Sequence, residues 1–193
     1  YEPALRLMQR IGEAAPVMAV TGNHDLWRAD YDKMEEEMTA AGVKFLHTER
    51  IYIRRGEDKI SIAGIDDPFS CEHRRVGGFL KSSIEKLGEY GGFEILLFHR
   101  ANLIDEFSGC GFDLILSGHM HGGHIRLPFL GGVASPTSSL SGGESLLFPK
   151  YFGGRYEMGN TVMIVSRGLG NPTPVPRIFN RPELVMVTLR KKK

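Results

Sequence analysis

The chain has 193 residues, 41% of them hydrophobic and 24% charged, with a net charge of +1. That size fits a single domain, residues 1–193, with a sizeable core. The near-neutral balance excludes the strong basic field that a nucleic-acid polymer would need, and no apolar run of the roughly 18 residues that span a bilayer is present.

Residues 3–13 read as a helix, with apolar positions at 4, 5, 7, 8 and 11 and Pro3 in the first turn. A short apolar strand, Val17 to Val20, follows and delivers the chain to Gly22. Residues 30–41 form a second helix, with Asp30 as its cap and Gly42 as its end. Strands are expected at Val43–Leu46, Ile51–Ile53 and Ile60–Ile65, the last stopped by Asp66-Asp67-Pro68 because proline cannot donate to a ladder. A helix around Leu80–Leu87 ends at Gly88. Phe93–Phe98 and Phe112–Leu116 are nearly continuous apolar runs, the pattern of strands covered on both faces. Residues 101–107 between them make one or two helical turns. The stretch 131–154 turns to Gly, Ser and Pro and reads as a long functional loop. Thr161–Val165 and Glu183–Leu189 close the chain as strands. Cys71 and Cys110 read as two unpaired thiols, and Arg190-Lys191-Lys192-Lys193 as a solvated tail.

Four of the seven histidines sit in loops that follow buried-looking strands: Gly22-Asn23-His24-Asp25, Phe98-His99 and Gly118-His119-Met120-His121. Side chains at the carboxyl ends of neighbouring strands meet in one crevice, where open α/β sheets place their chemistry. Two imidazoles at i and i+2, His119 and His121, can face adjacent coordination positions, and an asparagine carbonyl such as Asn23 ligates a cation without adding charge. His24 is placed as a proton donor with Asp25 to orient it. Each loop alone has an ordinary alternative: surface histidines, a helix cap at Asn23 and Asp25, or a structural His99. Their shared strand-end placement favours a metal site. Carboxylates are short, with only Asp66 and Asp67 placed to approach it. A cation pair normally needs a bridging carboxylate.

The order Gly-Asn-His-Asp (22–25), a strand-end His99, then Gly118-His119-Met120-His121-Gly122-Gly123 resembles the calcineurin-like metallophosphoesterase superfamily. The branch it resembles most is a bacterial one that includes membrane-associated phosphoesterases and UDP-2,3-diacylglucosamine pyrophosphatases. Further matches are Ile125-Arg126-Leu127-Pro128, Ser166-Arg167-Gly168-Leu169-Gly170 and Arg181-Pro182-Glu183-Leu184. The superfamily carries five blocks: Asp-x-His, Gly-Asp, Gly-Asn-His-Asp/Glu, a lone His and Gly-His-x-His. The last three are present here and the first two are not. The resemblance therefore implies an amino-terminally truncated domain, with the bridging carboxylate and further ligands upstream of Tyr1. It implies a four-layer α/β/β/α sandwich with two mixed sheets, lacking its first strands.

The resemblance further implies two divalent ions (Zn, Mn or Fe), with Asn23, His99 and His119 serving the second, His121 the first, and His24 protonating the leaving group with Asp25 behind it. His124, where the family commonly has Gln, is a candidate for contact with substrate phosphate, and Arg100-Ala101 stands where a proline often follows the lone His. The implied activity is hydrolysis of a phosphodiester or pyrophosphate, on a lipid-linked or nucleotide-sugar substrate and at a membrane surface or the cell envelope. Phe129, Leu130, Leu146, Leu147 and Phe148 are placed to form an apolar lip for such a substrate. Two rivals stand beside this reading: a nucleotide phosphodiesterase of the same fold, and a metal-poor scaffold used for binding. The 193 residues alone are expected to bind at most one cation and to be inactive.

Overall fold

The computed structural model describes residues 1–70, 75–134, 147–171 and 176–191. The α-helices among the described residues are α1 (Glu2–Gly12), α2 (Asn23–Leu26), α3 (Tyr31–Ala40) and α4 (Val76–Leu87). The strands are β1 (Val17–Ala19), β2 (Val43–Phe45), β3 (Glu49–Arg55), β4 (Asp58–Ile65), β5 (Glu94–Arg100), β6 (Leu114–Gly118), β7 (Arg126–Leu127), β8 (Gly131–Gly132), β9 (Gly154–Met158) and β10 (Thr161–Val165). No helix among the described residues is long and apolar enough to cross a membrane.

Six strands form one mixed sheet in the order β3-β4-β5-β6-β10-β9. Its centre, β4 to β10, is parallel, and the edges β3 and β9 run antiparallel. Alternation divides each central strand between two cores. Ala63, Ile65, Leu96, Phe98, Ile115, Met163 and Val165 face one way, packing with Val76 and Leu80 of α4 and with Ala101, Leu103, Ile104 and Phe107 of the 3₁₀ segment after β5. Ile62, Ile95, Leu114, Leu97, Leu116, Val162 and Ile164 face the other way, against Met18, Val20 and Leu46 from the β1–β2 layer. That layer is covered in turn by α1 and α3 through Leu5, Met8, Met34 and Met38. The layers thus run α, six-stranded sheet, β1–β2 pair, α. Burial of each large apolar side chain contributes about 1.5–3 kcal/mol, so the two faces of this sheet dominate the stability.

Gly64 permits the contact between the two sheet layers. A Cβ there would sit 2.4 Å from Cβ of Leu46 and 2.8 Å from Cγ1 of Val20.

Several sequence expectations need correction. The second sheet is a parallel pair of three-residue strands rather than a mixed sheet, with Val17, Met18 and Ala19 opposite Val43, Lys44 and Phe45. Its short strands leave Ile60, Leu97, Leu116, Val162 and Ile164 of the large sheet only half-buried. Residues 183–189 join no ladder among the described strands. Alternation survives in their exposure: 82% at Leu184 and 89% at Met186, against 39% at Val185 and 38% at Val187. Asp30 stands at the N-cap position of α3, but its carboxylate accepts from Arg28 Nη2 at 2.8 Å instead of capping. In the long loop expected at 131–154, residues 135–146, Leu146 included, lie outside the described residues. Cys71 does too, and Cys110 is a free thiol.

Candidate metal centre

Parallel strands deliver their following loops to one end of the sheet. Phe98 of β5 pairs with β4 beside Ile65, and Arg100 pairs with Gly118 of β6. The register between β5 and β6 shifts from Leu97 to Arg100. Such an irregularity re-aims a side chain, and the two residues it contains are Phe98 and His99.

Three segments far apart in sequence converge there: the start of α2, the end of β5, where His99 lies within the strand rather than in a loop, and the loop after β6. Asn23 Oδ1 lies 3.0 Å from His99 Nε2 and 3.1 Å from His119 Nδ1. The two imidazole nitrogens are 3.3 Å apart. Asn23 and His119 are 2% and 5% exposed, so these polar atoms have little access to water. With metal–ligand bonds of about 2.1 Å, neighbouring donors of a tetrahedral or octahedral cation stand about 3.0–3.4 Å apart. The spacing of the three atoms therefore fits one divalent ion. Gly22 makes the approach possible, since a Cβ on it would lie 3.0–3.1 Å from the ring atoms of His99.

Burial dominates the protonation of these rings. It pushes His99 down to about 3, helped by the charge of Arg100, and His119 down to about 2. His121 is lowered to about 4, again by burial first and then by His124 and Arg177. Neutral imidazoles keep their lone pairs available to a cation at any physiological pH. His121 does not hydrogen-bond to the Asn23–His99–His119 group. Its ring lies 5.4 Å from that of His124, centroid to centroid.

The Gly-His-x-His loop is built under strain. His119, His121 and His124 have φ values of 67°, 48° and 49°, the left-handed region that favours glycine. Such strain persists only where surrounding structure enforces it. Here Asn180 Nδ2 donates to the carbonyls of His121, at 2.6 Å, and His124, at 3.2 Å.

His24 is exposed, and its ring sits edge-on against Trp27 at 4.5 Å. Asp25 does not hydrogen-bond to it among the described residues. Its carboxylate accepts from the backbone N–H of Gly22 at 2.7 Å, bracing the turn that presents Asn23. Burial raises the Asp25 carboxyl.

Asp66 and Asp67, the carboxylates nearest in sequence to the site, serve the scaffold. Asp67 is fully buried and takes Arg100 Nε at 2.8 and 3.0 Å. Thr21 Oγ1 donates to Asp66 at 2.9 Å and accepts from the Asp67 N–H at 2.9 Å. These bonds lock the loops after β1, β4 and β5 together one residue away from His99. Asp66 also meets His47 Nδ1 at 3.0 Å, whose Nε2 reaches Glu35 at 2.9 Å. Sequence reasoning missed this bracing. Its signals were an acidic pair ending one buried strand and an arginine ending the next, two charges that the core can accept only as a pair.

No family model matches the chain. Individual relatives do. An uncharacterized metallophosphoesterase of Bacillus subtilis (strain 168), YkoQ, is 29% identical over 182 residues, covering 93% of this chain and 62% of the relative. A second from the same organism, YkuE, is 28% identical over 192 residues, with coverages of 98% and 62%. The chain is similar to metallophosphoesterases. The phosphodiesterase YaeI of Escherichia coli (strain K12) extends the set, at 23% identity over 95% of this chain and 62% of its own length. The chain spans about 62% of the length of these curated relatives.

Proposed function

We propose that the protein is a metal-dependent phosphoester hydrolase of the calcineurin-like kind. The observation that carries this reading is the mutual approach of Asn23 Oδ1, His99 Nε2 and His119 Nδ1 within 3.0–3.3 Å. In this reading those three residues hold one divalent cation and His121 reaches a second. Cations bound there supply Lewis acidity and a hydroxide source near neutral pH. The chain's own residues do the rest. Gly22 and Asp25 fix the turn that aims Asn23, the Asp67–Arg100 pair fixes His99, and exposed His24 donates a proton to the departing oxygen. His124 lines the side from which substrate phosphate enters.

A cation pair needs ligands beyond these four residues, including a bridging carboxylate. The 193 residues alone then bind at most one cation and turn over no substrate. The substrate is a phosphodiester or pyrophosphate carrying an apolar group. Exposed Phe129, Leu130, Leu147 and Phe148 support that preference, as does the groove of about 490 Å³ formed by Arg126 to Gly131 with Phe152 and Phe179.

The test is made on the full-length protein loaded with Mn, Zn or Fe. Bound metal is measured beside hydrolysis of bis(4-nitrophenyl) phosphate. Asn23→Ala and His119→Ala are expected to lose metal and to lower turnover by about 100-fold or more, while His24→Asn keeps the metal and lowers turnover alone. Full activity in His119→Ala would exclude the proposed centre.

A further inference from the structure

The segment 177–180 lies alongside the site loop with a fixed register. Ile178 bridges Ile125 in parallel, with Arg126 N–H donating to Ile178 O at 2.9 Å and Ile178 N–H to His124 O at 3.3 Å. The residues just before the bridge, Arg177 and His124, are therefore neighbours, and the charge of Arg177 acts on the His124 ring.

Arg177 is anchored through one nitrogen. Its Nη2 donates to the carbonyls of Arg167, at 2.8 Å, and of Gly170. Its Nε and Nη1 have no partner among the described residues, although both are shielded from bulk water. The same holds for Nδ1 of His124, a residue only 6% exposed, and for Oδ1 of Asn180. Shielded polar atoms without partners are costly, and four of them in one short stretch of contact, two guanidinium donors, a ring nitrogen and an amide oxygen, mark a place for a polar group.

Charge identifies the missing group. Glu183 accepts from Arg167, through its backbone N–H at 2.8 Å and Nη2 at 2.5 Å. The charge of Arg126 also acts on Glu183, and Arg177 and Glu183 act on each other. Three guanidiniums thus share one carboxylate that Arg167 already occupies. The local excess is cationic, and the Arg177 charge reaches both His121 and His124.

We propose that Arg177 and His124 form an oxyanion subsite that grips the non-bridging phosphate oxygens of the substrate beside the Gly-His-x-His loop. For its substrate this subsite rests on the hydrolase reading. Its affinity for an anion does not, because no metal ligand takes part. Arg177 is a substrate-binding residue in this assignment, and Asn180 is the positioning residue that holds the loop against it.

The experiment titrates inorganic phosphate into chelator-treated full-length protein, so that metal plays no role. Wild-type protein is expected to bind phosphate in the millimolar range, and Arg177→Gln to bind it about 10–100-fold more weakly, as for loss of a charge-assisted pair. In metal-loaded protein the same variant is expected to raise KM for the phosphodiester and to leave metal content unchanged. Equal phosphate affinity in Arg177→Gln, or no binding to wild type at tens of millimolar, overturns the assignment. Should Arg177→Gln fail to fold, Arg177→Lys decides: it keeps the charge but loses the planar donor set, and wild-type affinity in it overturns the assignment equally. Absence of metal binding or turnover, with the phosphate result intact, would count against the hydrolase reading alone.

Discussion

Replacing Asp67 tests whether the site is held by the ion pair beneath it. Both Asp67 and Arg100 are buried, with side chains 0% and 1% exposed, and the carboxylate also accepts from the Phe69 N–H at 2.9 Å. Burial raises the Asp67 carboxyl while the guanidinium at 2.8 Å works against that shift. Asp67→Ala takes the carboxylate away from a charge that cannot move to water. Breaking a buried pair in this way costs about 3–5 kcal/mol, a large share of the roughly 5–15 kcal/mol that stabilises a domain. With a urea slope of about 2 kcal/mol per molar, the midpoint should fall by about 1.5–2.5 M. Asp67→Asn keeps an acceptor of the same shape and should cost less, about 1–3 kcal/mol. The assay is urea unfolding of full-length protein followed by circular dichroism, with cation affinity measured on the same variants. Because Arg100 adjoins His99, cation affinity should weaken in the same order, Ala more than Asn. A midpoint shift worth under about 1 kcal/mol for Asp67→Ala would refute the argument that this pair carries the loops.

Acid should destabilise the metal-free protein early. His99, His119 and His121 sit at about 3, 2 and 4 in the folded chain, below the unfolded value of about 6.5. Their stabilisation is complete above pH 6.5 and is lost as the pH falls toward 4, at about 4 kcal/mol per pH unit for three protons. His47 opposes this weakly: burial lowers it but Glu35 and Asp66 raise it further, so its contribution is present below pH 6.5 and lost as the pH rises. Urea midpoints at pH 7.5, 6.5 and 5.5 measure the balance, and a flat profile would contradict it. Leu147→Ser with Phe148→Ser should lower hydrolysis of a lipid-linked substrate while sparing a small soluble diester. Both side chains are exposed, at 56% and 55%, so the thermal midpoint should stay put, and equal losses on the two substrates would remove the apolar rim from the mechanism.

Much of this was legible in the chain because burial and alternation are local signals. The apolar runs at 93–98 and 112–116 are interior strands covered on both faces, and His99 and His119 follow their carboxyl ends. The bracing was harder to see. Nothing in the spacing of Asp67 and Arg100, 33 positions apart, states that they pair, and the sequence places Asp66-Asp67 only as carboxylates that could approach the imidazoles. Residues 183–189 have strand chemistry, but a strand also needs a neighbour, and pairing is a property of the assembled sheet. The role of Arg177 escaped for the same reason, since only the Ile125–Ile178 bridge sets it beside His124.

The left-handed backbone at His119, His121 and His124 has a consequence for how this loop tolerates change. Each such residue carries about 1–2 kcal/mol of conformational cost that glycine would relieve. Selection for folding alone would therefore drift these positions toward glycine or asparagine. A variant library sorted for thermal stability and the same library sorted for phosphoester turnover should diverge most sharply at 119 and 121, where backbone comfort and imidazole chemistry pull in opposite directions.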